Sequence, residues 1–159
     1  MVEPSEQLQL VFDKAVDVAK KLQHEYVTLE HLLFAMLCES SFAKVIEGYG
    51  ADPEFLKKNV ENYLKTQTEK IQMEASVAKK YKPKKTHAVE RVLNRAFTQV
   101  LFSGRSHIDC SDVFLSIMNE KKSWSYYHIA KTNIDKDKFA DYLNNEMADN
   151  YEDEEMAGM

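Results

Sequence analysis

Five histidines and two cysteines are the side chains of this 159-residue sequence best suited to hold a metal or attack a substrate. Their spacing supports neither chemistry. His24 and His31 bracket the turn between the first two expected helices, and His107 lies in the corresponding turn further on. No His-Glu-x-x-His pair or cysteine cluster accompanies them, so a surface or capping role is expected rather than zinc. Cys38 and Cys110 stand singly in apolar helical patterns, as small core side chains of a reduced, cytosolic protein would. No serine sits in a Gly-x-Ser-x-Gly elbow. The glycines, at 48, 50, 104 and 158, cannot form a Walker-type phosphate loop. Glu25 and Glu30 flank an exposed turn and read as solvated acids. The expectation is a protein that acts by binding, without catalysis and without a cofactor.

These residues are positioned by a helical unit that is written twice. Val27-Thr28-Leu29-Glu30-His31-Leu32-Leu33-Phe34-Ala35-Met36-Leu37 matches the segment Ile108 to Met118 at an offset of 81 residues, with nearly every apolar position coincident. Upstream, Val11, Phe12, Ala15, Val16 and Ala19 fall on Val92, Leu93, Ala96, Phe97 and Val100. Beyond two inserted residues the match resumes, with Leu56 on Phe139 and Val60 on Leu143. Two copies of one helical unit predict an all-α fold of eight helices, as two pseudo-twofold-related four-helix repeats.

The helix signals agree. Ser5 precedes an apolar stripe of Leu8, Phe12, Ala15, Ala19 and Leu22 at three- and four-residue steps, reaching about Gln23. Thr28 is an N-cap for a very apolar second helix. Phe42, Val45, Ile46 and Tyr49 mark a third, closed by Gly50. Asp52-Pro53 starts a fourth. Val89 to Val100 form the fifth, which Gly104 ends; Asp109 or Ser111 caps the sixth; Trp124, Tyr127 and Ile129 mark the seventh; Asp135 caps the eighth. The predicted organisation is one domain over 1–148, with repeat one at 5–64, a basic linker at 65–85 and repeat two at 86–148. An acidic disordered tail follows over 149–159.

Charge narrows the partners. The net charge of −5 hides a +5 linker, with seven lysines against Glu69 and Glu74, and a −5 tail. No generally basic surface exists, so nucleic acid is not expected, although Tyr81 among the lysines of 79–85 is the stretch that would bind it. No signal peptide opens the chain and no apolar run is long enough to span a membrane, so a soluble cytoplasmic monomer is expected.

His24-Glu25-Tyr26-Val27-Thr28-Leu29-Glu30-His31-Leu32-Leu33-Phe34-Ala35-Met36-Leu37 closely resembles the first repeat of the Clp N-terminal domain in its ClpA branch. Arg91-Val92-Leu93-Asn94-Arg95-Ala96 with Ser103-Gly104-Arg105 resembles the second repeat, and the similarity covers roughly 5–147. The resemblance implies a docking domain. In that family the module precedes the two ATPase rings of an unfoldase that feeds a barrel peptidase, and it binds adaptors and substrates. In the ClpA branch the adaptor is ClpS.

By similarity the adaptor face includes Glu25 and Glu30, with His24 at the head of the same signature, and Thr86 and Arg91 across from them. Together these would form an exposed, mixed-charge patch suited to a transient interface. The lysine-rich linker departs from the family's more acidic one. If it is complete at Met159, the chain is expected to be a free-standing modulator, and if it is a fragment, the acidic tail is expected to begin an interdomain linker; in either case it is expected to bind a ClpS-like adaptor, the Clp unfoldase or its substrates. The rival expectation is a peptide-binding or holdase module with an apolar groove between the repeats. Tyr81, Trp124, Tyr126 and Tyr127 would serve that groove if exposed, and most of them read as core.

Overall fold

The computed structural model describes residues 1–66 and 80–157, with side chains through Glu146. Eight helices are present among them: α1 (Glu6–Lys21), α2 (Leu29–Leu37), α3 (Ser40–Tyr49), α4 (Pro53–Thr66), α5 (His87–Ser103), α6 (Cys110–Ile117), α7 (Trp124–Lys131) and α8 (Lys136–Ala157). The all-α architecture follows the sequence pattern. So do the caps. Ser5 Oγ accepts from Leu8 N–H, Thr86 Oγ1 from Val89 N–H, and Asp52 Oδ1 from the N–H groups of Glu54 and Phe55. Asp109, rather than Ser111, is the N-cap of α6.

Four two-residue strands, not anticipated from the sequence, tie the repeats together: β1 (Glu3–Pro4), β2 (Tyr26–Val27), β3 (Lys84–Lys85) and β4 (His107–Ile108). They pair crosswise in parallel, β1 with β4 and β2 with β3, so each repeat lends a strand to the other. The hydrogen bonds repeat at the sequence offset. Glu3 N–H and Ser5 N–H donate to the carbonyls of Ser106 and Ile108, and Lys84 N–H and Thr86 N–H donate to those of Glu25 and Val27. Positive-φ residues also match in pairs: Gln23 with Gly104 at the ends of α1 and α5, and Gly50 with Asn133 at the ends of α3 and α7.

Helix α2 is the central element. Eight of its nine residues are buried, and it packs against α1, α3, α4, α6 and α7. Its high apolar content is the consequence of having no solvent face. The repeats meet in a ring cluster, where Phe114 of α6 lies 5.4 Å from Phe42 of α3 and 5.1 Å from Phe139 of α8. Tilted rings at this separation are favoured beyond their area burial.

Two boundaries differ from expectation. Helix α8 continues to Ala157, so the backbone of 149–157 is helical rather than disordered; no glycine or proline interrupts that stretch before Gly158. Of the expected linker, Lys65 and Thr66 belong to α4 and Lys84–Lys85 form β3, while 67–79 lies outside the described residues. Phe97, expected on the buried stripe of α5, is exposed, as are Trp124 and Tyr127.

Candidate functional site

The turn between α1 and α2 carries the first cluster. His24 is only 1% exposed and His31 is fully buried. Thr28 N–H donates to His31 Nδ1 at 3.0 Å, closing a capping box in which a histidine fills the usual Glu/Gln place. With Nδ1 accepting, the imidazole proton resides on Nε2 and is donated to His24 Nδ1 at 2.7 Å. Burial first, and His24 second, push the His31 imidazolium down to a pKa of about 3. His31 is neutral at physiological pH. His24 therefore stands behind the surface, contrary to the expected exposed role.

Glu30 departs from expectation in the same way. It is 8% exposed and its Oε2 accepts from Ser125 N–H at 3.1 Å and Ser125 Oγ–H at 2.6 Å. The carboxylate thus receives the first turn of α7 and binds repeat two to repeat one. Burial raises its pKa against the opposing effect of the Ser125 bonds. A partner could not reach it without displacing α7.

The β2–β3 pairing brings Glu25 and Thr86 together through the Lys84 N–H bond to the Glu25 carbonyl at 3.0 Å. Thr86 is spent as the cap of α5, and Arg91 lies on the next turn of that helix, 55% exposed. Its guanidinium meets Glu120, with Nε 3.1 Å from Oε1. Arg95 Nη2 reaches the other oxygen at 2.9 Å, and Arg95 Nη1 donates to the Ser116 carbonyl at 2.9 Å. Hydrogen bonding from Arg91 holds the Glu120 carboxyl below the usual carboxylate range.

An open cleft of about 490 Å³ lies beside this pair, bounded by Leu29 of α2, Ala88 and Arg91 of α5, and Asn119 to Ser123. Lys121 and Lys122 stand on its rim. The repeat supplies an internal comparison: Arg91 and Arg95 take the places of Leu10 and Lys14, and Glu120 that of Glu39, which bonds Gln7 instead. The scaffold folds with either set, so the arginines are not a requirement of the fold. Sequence reading missed Glu120, Lys121 and Lys122, which the fold brings beside Arg91 from about 30 positions away.

Among the described residues no group of three or more His, Cys, Asp or Glu could hold a metal ion, and no helix is long and apolar enough to cross a membrane. Burial raises the Cys110 thiol to a pKa of about 12, which leaves it unreactive. Tyr81 is half-buried and donates its hydroxyl to the His24 carbonyl at 3.0 Å.

The family model of the Clp repeat (R) N-terminal domain matches residues 3–133. A ClpA homolog protein of Fuscovulum blasticum is 30% identical over 132 residues, covering 82% of this chain and 16% of that relative's length. The Hsp104 N-terminal domain from Candida albicans superposes with a TM-score of 0.73 at 10% identity, over 88% of each chain. A ClpV N-domain in complex with a VipB peptide superposes at 0.64 and 16% identity, over 84% of this chain and 80% of that one. With the double repeat, the crosswise strands and this match over most of its length, the chain belongs to the Clp repeat N-terminal domain family.

Proposed function

We propose that this domain is a non-enzymatic docking module of the ATP-dependent Clp protease system, which receives a ClpS-like adaptor on the surface running from Glu25 and the β2–β3 pair to Arg91. The observation that carries the reading is the divergence at Arg91. On a scaffold that accepts Leu10 at the matching position, repeat two places an exposed guanidinium, aligned by Glu120, on the rim of a cleft between the repeats. An arginine aligned by Glu120 beside two lysines suits a polar, reversible contact, because rim charges set orientation and on-rate more than raw affinity. Glu30 and His24 support this face from beneath, holding α7 and the α1–α2 turn in place.

Amide chemical-shift mapping with purified ClpS tests the reading. Perturbations concentrated at Glu25–Val27, Lys84–Arg91 and Asn119–Ser123 support it, whereas a footprint elsewhere moves the adaptor site.

Direct peptide binding is the second reading, favoured by the solved complex of the ClpV N-domain with a VipB peptide. It draws on aromatics that are exposed here, Trp124 and Tyr127, while Tyr81 and Tyr126 are half-buried.

A further inference from the structure

Helices α4 and α7 enclose a pocket of about 380 Å³, lined by Asn59, Tyr63, Thr66, Trp124, His128 and Lys131 with Asn62, none of which lines the Arg91 cleft. Its walls are aromatic. Tyr63 lies 5.5 Å from Trp124 and 5.9 Å from His128, and Tyr127 stands edge-on to Trp124 at 5.5 Å. Trp124 is 52% exposed. Lys131 Nζ rests 5.2 Å from the Tyr127 ring centroid and makes no ion pair among the described residues.

Two buried groups here lack hydrogen-bond partners among the described residues. His128 is 9% exposed and neither ring nitrogen is bonded, and Asn59 Nδ2 is likewise an unused donor. Burial and Lys131 lower the His128 pKa, so the ring is neutral and offers one donor and one acceptor. Buried polar groups are nearly always satisfied, and an orphan lining a cavity points to a partner that is not part of the fold.

The repeat shows that the scaffold does not need these residues. At the offset of 83 residues that relates the second halves of the repeats, Trp124, His128 and Lys131 fall on Ser41, Val45 and Gly48, and Asn59 on Tyr142. In that twin interface the Tyr142 ring packs onto Gly48, leaving no room for a Cβ there. Where the twin is filled by tyrosine, the α4–α7 interface has a short asparagine and a hollow.

The geometry points to a second docking pocket, taking an aromatic side chain of a partner protein's peptide segment against the Tyr63–Trp124 ring pair, with a neighbouring carboxylate of that segment turned to Lys131. Aromatic walls supply the apolar contact. The free donors of Asn59 and His128 match peptide carbonyls, and Lys131 matches the anion. This pocket rests on the docking reading but not on its adaptor: the ClpS footprint probes the Arg91 cleft and the experiment below probes α4–α7, so either can fail alone.

Trp124 is the sole tryptophan of the chain, so its emission reports directly on the pocket. Titration of the full chain with N-acetylphenylalanine is expected to give a saturable emission change with a Kd of about 1 mM. The amide of the same compound should bind at least about fivefold more weakly, as should the parent compound to Lys131→Gln. N-acetylalanine should give no change. Asn59→Tyr, which restores the twin's residue, should abolish binding, and His128→Val should weaken it, each with an unchanged helical circular dichroism spectrum. Lys131 is exposed, so its variant remains informative if Asn59→Tyr does not fold. Absence of a saturable change in the parent overturns the proposal, as does binding that survives Asn59→Tyr in a folded variant or is indifferent to both charge changes.

Discussion

His24 Nδ1 lies 2.7 Å from His31 Nε2 inside the first repeat, at the two positions where the second repeat places Arg105 and Asp112 as an ion pair. One structural need, fastening the inter-helix turn to the helix that follows, is met by two imidazoles in one copy and by an ion pair in the other. Arg105 and Asp112 are partly exposed, where an ion pair is tolerable. The buried site of the histidines disfavours charge on His31.

This difference makes the first repeat sensitive to acid. The folded-state pKa of His31, about 3, lies below its ordinary 6.5. Its contribution is therefore fully present above about pH 6.5 and is lost as pH falls towards 3, by up to about 1.4 kcal/mol per pH unit. Urea unfolding at pH 7.5, 6 and 5 should show the parent losing stability relative to His31→Gln over this range. Parallel curves for the two proteins would contradict the assignment.

Glu30 should respond with the opposite sign. Burial raises its folded pKa, so the fold favours the protonated acid; that contribution is present below about 4.5 and is lost as pH rises through the folded value. Glu30→Gln, which keeps an acceptor for Ser125, should gain on the parent between pH 4 and 7 in the same unfolding assay. Glu30→Ala leaves the Ser125 groups without their partner and should cost about 1–3 kcal/mol.

Gln23 adopts φ of 60° at the end of α1, where the second repeat has Gly104 at 79°. A glycine avoids the strain of the left-handed region but costs more backbone entropy. Gln23→Gly should stabilise the domain by about 0.5–1 kcal/mol, read as a raised midpoint of urea unfolding. A lowered midpoint would show that the Gln23 side chain contributes more than its backbone strain removes.

At the junction of the repeats, Phe114→Ala should destabilise by about 3–5 kcal/mol, since the ring is fully buried between Phe42 and Phe139. Phe102→Ala, at an exposed position, should stay within about 0.5 kcal/mol. Equal losses would mean that Phe102 is covered in solution.

The parts of the fold legible in the sequence are those set by local chemistry. Ser5, Thr28, Asp52 and Thr86 announce helix starts because a cap bonds a backbone group two or three residues on, and Gly50 and Gly104 announce ends because they admit positive φ. The repeat offset is legible for the same reason, since each copy carries its own periodicity. The two-residue strands are too short to leave an alternating pattern, and their pairing joins residues far apart in the chain. Glu30 reads as surface because Ser125, the group that buries and satisfies it, lies 95 positions away. Trp124 reads as core because it is apolar and in register with a helix; only the comparison of α7 with α3 shows that the scaffold would accept serine there. At the candidate site, Glu25, Thr86 and Arg91 are expectations drawn from resemblance, while Glu120 and the lysines beside it became visible through the fold.

The most direct test of the central claim is calorimetric titration of the domain with ClpS, repeated with Glu25→Ala and Arg91→Ala. The docking reading predicts binding at micromolar concentration or tighter, weakened at least about tenfold in both variants with thermal stability unchanged. No heat of binding from the folded parent, or equal affinity in all three proteins, would contradict an adaptor face built on Glu25 and Arg91.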